Sequence, residues 1–75
     1  MPRLPTITAK QLISVLQKSG FYKDRQVGSH VILVHYETDK TLSVPVHPGK
    51  TLGRGLVAAL LKDAAISREE FLRLL

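Results

Sequence analysis

The chain has 75 residues, with eleven Lys or Arg against six Asp or Glu and no cysteine. This length supports one small domain, because chains of this size bury only about 60% of their unfolded surface, and the lack of cysteine removes disulfides and thiolate zinc sites. The formal charge of +5 at pH 7 favours a polyanion or an acidic protein as partner, although a merely solvated basic surface has the same composition.

No apolar run approaches the roughly 18 residues of a membrane span. The first residues also lack the charge, apolar core and small-residue cleavage site of a secretory signal, so a soluble, cytoplasmic protein with no membrane partner is expected. Residues 1–6, with Pro2 and Pro5, read as an irregular lead-in. A helix is predicted over residues 9–19. Thr8 caps it, Gln11 completes a Thr-x-x-Gln capping box, Ile7 and Leu12 take the staple positions, and Leu12, Ile13, Val15 and Leu16 form its buried side up to Gly20. Residues 21–27 shift towards a period of two but are too polar for a doubly buried strand, so an exposed strand is expected. Gly28-Ser29 has the composition of a short hairpin turn, and residues 30–36 hold a mostly β-branched run, Val31-Ile32-Leu33-Val34.

Residues 37–40 make the next turn. Residues 41–46 return as a third strand, with Pro45 placing it at an edge or interrupting it, since proline has no N–H for the ladder. His47-Pro48-Gly49-Lys50 is a turn, and residues 51–55 lead into a second helix whose apolar set is Leu56, Val57, Leu60, Leu61 and Ala64, with Gly53 or Gly55 at its start. Ser67-Arg68-Glu69-Glu70 is another capping box, with Ile66 and Phe71 as its staple, and opens a short third helix through Leu75. The order α-β-β-β-α-α implies an α+β domain over residues 1–75, its helices on one face of a three-stranded antiparallel sheet.

Strand parity then constrains the histidines. Val31, Leu33 and His35 point to one side of the second strand and His30, Ile32, Val34 and Tyr36 to the other. Matching the apolar sides across the hairpin sets Val31, Leu33, Leu42, Val44 and Val46 against the helices and leaves His30 and His47 on the open face. A four-residue loop at residues 37–40 would place those two opposite one another, and a two-residue Gly28-Ser29 loop would add Lys23 and Arg25 to that face. The divergence of His35 weighs against a metal site, because zinc needs three or four converging ligands. His30 alone reads either as a surface histidine or as a general acid or base, an imidazole being the side chain that titrates nearest neutrality.

Three segments resemble the HicA family, the small toxins of HicA/HicB toxin-antitoxin pairs, in order and spacing. They are Arg25-Gln26-Val27-Gly28-Ser29-His30, then Val44-Pro45-Val46-His47-Pro48-Gly49-Lys50, then residues 60–71, Leu-Leu-Lys-Asp-Ala-Ala-Ile-Ser-Arg-Glu-Glu-Phe. One departure is Ala65, where the family commonly has glycine. The resemblance implies a fold like a double-stranded-RNA-binding domain and a metal-independent, cofactor-free endoribonuclease that cleaves mRNA. It also implies that His30, in the Gly-Ser-His motif, is the essential histidine. His47 is then a structural turn residue first, a phosphate contact or partner acid second. Lys23, Arg25, Ser29, Lys50 and Arg54 are candidates to hold the phosphodiester, helped by the amides opening the second helix. A non-catalytic RNA-binding module or a protein-interaction domain would use the same basic surface. The implied partners are RNA and a HicB-like antitoxin, expected to cover the His30 face because Ile32, Val34 and Tyr36 would leave it apolar.

Overall fold

A computed structural model describes residues 4–75, so the part of the expected lead-in at residues 1–3 lies outside the described residues. The elements are β1 (Ile7–Thr8), α1 (Ala9–Lys18), β2 (Phe21–Val27), β3 (His30–His35), β4 (Thr41–Pro45), β5 (Thr51–Leu52), α2 (Arg54–Asp63) and α3 (Arg68–Leu74). Strands β2, β3 and β4 form an antiparallel sheet in that order, and β1 pairs antiparallel with β5 in a separate two-residue ladder. That small ladder has no counterpart in the sequence reading. Two residues carry no periodicity to detect.

The capping box at Thr8 forms as expected, and at Ser67 the hydroxyl's half of the box does. Thr8 Oγ1 accepts from the Gln11 amide at 3.2 Å, while the Thr8 amide donates to Gln11 Oε1 at 2.9 Å, so two orphan donors at the start of α1 are satisfied reciprocally. Ser67 Oγ likewise accepts from the Glu70 amide at 3.1 Å to open α3. Ala65 joins α2 to α3 at φ +57°, a conformation that costs an L residue about 1–2 kcal/mol and that the family's glycine would adopt freely.

One core holds the layers together. Leu12, Ile13, Val15 and Leu16 from α1 meet Val31, Leu33, Leu42 and Val44 from the sheet, and Val57, Leu60, Leu61, Ile66 and Phe71 close it from the later helices. Leu4, Ile7, Ala9, Phe21 and Leu52 are also buried, whereas Leu56, expected inside, is 39% exposed. Leu56 stands in the first turn of α2, one residue before the fully buried Val57, and the helix presents only Val57, Leu60 and Leu61 to the core.

Both hairpins depart from the expected register, and the first does so in a way that moves side chains between faces. Val27 pairs with His30 and Arg25 with Ile32, as a two-residue Gly28-Ser29 turn demands, but a bulge at Asp24 then pairs Lys23 with Leu33 and Phe21 with His35. Lys23 therefore lies on the helix side, not beside His30. The cause is Phe21: an unbulged β2 would turn that ring outward, and the extra residue rotates it into the core, where it is 4% exposed. In the second hairpin the ladder closes at His35, whose amide donates to the Lys40 carbonyl at 2.9 Å, so the loop is residues 36–39 rather than 37–40. Asp39 takes φ +59° there, a left-handed position that Asp tolerates better than most residues.

Candidate functional site

The corrected register sets His30 opposite Pro45, not His47. Side chains on the open face fall into three rows across β2, β3 and β4: Val27-His30-Pro45, Arg25-Ile32-Ser43 and Tyr22-Val34-Thr41. His30 stands in the row nearest the Gly28-Ser29 turn and is exposed. Gly28 at φ +59° supplies the left-handed first position of a tight hairpin turn. Gln26 Nε2 donates to the Gly28 carbonyl at 3.1 Å, and the Val46 amide donates to the Ser29 carbonyl at 2.6 Å. The turn presenting His30 is thus tied from both neighbouring strands, while the Ser29 side chain is exposed.

Of the expected phosphate contacts, Arg25 shares the open face with His30 and pairs its guanidinium with Asp24 at the bulge. Lys23 lies on the opposite side of the sheet. His47 and Lys50 belong to the turn after β4, closed by the Lys50 amide on the His47 carbonyl at 3.1 Å, and both side chains line a hollow with Lys10, Val46 and Pro48. Arg54 opens α2 and donates from Nε to the Leu4 carbonyl at 2.6 Å, which gives it a structural bond and leaves its other guanidinium donors. The start of α2, at Gly53, has no side-chain cap.

His35 has a different environment. Its half-buried ring meets Phe21 edge-on, with centroids 4.9 Å apart, and stacks on Tyr36 at 5.3 Å. The Glu37 amide can only donate to Nδ1, at 3.1 Å, and the Ser19 carbonyl can only accept from Nε2, at 3.1 Å, so the Nε2-protonated tautomer satisfies both. Tyr36 has left the ladder and donates its amide to the Gly20 carbonyl at 3.1 Å. It belongs with His35 rather than with the His30 rows, where the apolar surface comes instead from Tyr22, Val27, Ile32, Val34 and Pro45. Among the described residues, no three of His, Cys, Asp and Glu come together, and no helix is long and apolar enough to cross a membrane.

An exposed histidine held by a braced hairpin turn, next to an arginine on a half-apolar sheet face, can exchange a proton with a bound molecule and neutralise an anion beside it. The family model described as "HicA toxin of bacterial toxin-antitoxin" matches residues 9–66, a span that begins with α1 and ends just past Ala65. No curated protein matches the chain.

Proposed function

The chain belongs to the HicA toxin family, the toxins of bacterial toxin-antitoxin systems, and from that premise we propose that it is a cytoplasmic, metal-independent endoribonuclease acting on mRNA with His30 as general base. The observation that carries this reading is the placement of His30: exposed, on the open face, at the mouth of a turn anchored by Gln26 and Val46. The His30 imidazole takes the proton of a ribose 2′-hydroxyl, whose oxygen attacks the adjacent phosphorus. As that bond forms, the bond from phosphorus to the 5′-oxygen breaks, leaving a 2′,3′-cyclic phosphate and a 5′-hydroxyl whose proton comes from the imidazolium or from water. Arg25, on the same face, and the Ser29 hydroxyl, next to His30 along the chain, steady the phosphate. Lys50, Arg54 and His47 serve the flanking backbone.

The test is incubation of labelled single-stranded RNA with the protein in EDTA, wild type against His30→Ala. Cleavage that survives chelation and falls about 10²- to 10⁴-fold in the variant is expected for a general base. A folded His30→Ala protein cleaving at the wild-type rate ends the assignment, and RNA binding without cleavage by either protein favours the non-catalytic module.

A further inference from the structure

The displacement of Lys23 by the Asp24 bulge completes a second surface, on the other side of the sheet from His30. Lys10, Ile13, Ser14 and Gln17 stand at positions i, i+3, i+4 and i+7 of α1 and so form one stripe. That stripe faces Lys23, Gln26, Val31 and Val46 across a groove of about 510 Å³. The floor is aliphatic, from Ile13, Val31 and Val46; the rim carries two lysines, two amides and a hydroxyl; and no carboxylate among the described residues lines it. Val46 and Lys10 also border the hollow holding His47 and Lys50, so the positive rim continues from β2 to the turn after β4. The groove lies at the same end of the sheet as the site. Its Gln26–Val31 pair adjoins the Val27–His30 pair in the ladder.

We propose that this groove seats an unpaired nucleotide of the RNA that flanks the cleaved bond, a proposal that rests on the ribonuclease reading above. The volume falls within the range of pockets that enclose small organic ligands. An aliphatic floor takes the face of a base, Gln17 and Ser14 offer hydrogen bonds to its edge, and Lys10 and Lys23 neutralise the phosphates on either side. A base in a duplex cannot present its face and edge in this way, so the occupant is single-stranded. The strand bends around the Gly28-Ser29 tip to reach both surfaces. Cleavage preference is then set in the groove, apart from the residue that moves the proton.

Fluorescence anisotropy of a labelled single-stranded 20-nucleotide RNA of mixed sequence tests this, in the His30→Ala background so that the probe stays intact. The Lys10→Ala/Lys23→Ala pair should weaken binding at least about tenfold at low salt and reduce the slope of log affinity against log salt by about 1.4, the value for two phosphate contacts to a single strand. Ser14→Trp, which fills the groove without changing charge, should weaken binding about fivefold or more; with His30 restored, it should also alter which sites are cut. Lys40→Ala, at the distant end of the β3–β4 hairpin, is the control. Parental binding with all groove variants matching Lys40→Ala overturns the groove while leaving the ribonuclease reading standing, as does equal competition by a perfect duplex. Failure of the parent to bind RNA at all overturns both.

Discussion

His35 turns inward from the end of β3, and both of its ring nitrogens are engaged with backbone groups of the α1–β2 and β3–β4 connections. A histidine in an apolar run looks the same in sequence whether it packs or reacts; parity separated His35 from His30, but the ring's partners on Ser19 and Glu37 depend on a loop geometry that no local pattern encodes. Gly20 is part of the same contact. At φ +100° it admits the chain beneath the ring, and a Cβ there would stand 2.7 Å from His35 Nε2. Beside it, the Tyr36 phenol titrates above its ordinary value of about 10, chiefly because it hydrogen-bonds to the Glu37 carboxylate and secondarily because that charge opposes the phenolate. A raised native pKa gives a contribution to stability that is fully present below the ordinary tyrosine range and is lost as pH rises through the native value. In a Tyr22→Phe background, tyrosinate absorbance during alkaline titration should report Tyr36 alone, and Glu37→Gln should move its midpoint down. An unchanged midpoint would mean that the carboxylate does not control the phenol.

At the scale of elements, the helices were legible and the strand registers only in part. Capping boxes at Thr8 and Ser67 and the 3.6-residue spacing of Leu12, Val15 and Leu16 are local signals, so α1 and α3 follow from the sequence. The sheet's order, its antiparallel sense and the separation of His30 from His35 follow from parity. A bulge breaks parity by one residue and leaves no mark except its effect on burial: Phe21 and Val27 share a parity, yet only Phe21 is buried. That contrast is visible only in the folded molecule, and the same bulge decides where Lys23 points. The bulge is therefore a device for burying one ring: with Asp24 taken out of the ladder, Phe21 stays opposite His35 on the core side. Truncating a buried Phe to Ala costs about 3–5 kcal/mol, so urea denaturation of Phe21→Ala should show a loss of about that size, whereas deleting Asp24, which removes the extra residue and leaves Lys23 opposite Leu33 and Phe21 opposite His35, should lose far less. A deletion variant as unstable as Phe21→Ala would mean that Asp24 does more in β2 than absorb the odd residue.

Taken whole, the molecule measures 34 × 29 × 16 Å, a flat body only two layers thick. One of its broad sides is the open sheet, where Tyr22, Val27, Ile32, Val34 and Pro45 surround His30 and Arg25. Aliphatic side chains there give a phosphate backbone nothing to bind, yet a contiguous apolar patch on a small basic protein suits a protein partner of opposite charge. The expected occupant is a HicB-like antitoxin that inhibits by covering His30. Hydrogen exchange of the free protein and the complex should therefore show new protection across β2 and β3. Protection confined to α2, with β3 exchanging as in the free protein, would place the antitoxin on the helical side.

The short ladder of Ile7 with Leu52, together with the bond from Arg54 to the Leu4 carbonyl, has a kinetic meaning. The contacts of β2 with α1 and with β3 join neighbours along the chain, whereas this ladder must bring together segments separated by the whole sheet, and the entropy of closing so long a loop falls on a pair of residues. The ladder is accordingly expected to close late on the way to the native state and to release early. Truncating Leu52 to Ala should speed unfolding and leave the refolding rate nearly unchanged, while truncating Leu33 to Ala should slow refolding. The reverse pattern would make the closure part of the nucleus. In this order of events the hairpin that carries His30 is already built when β1 is sewn to β5, so the turn outlasts the fraying of that ladder.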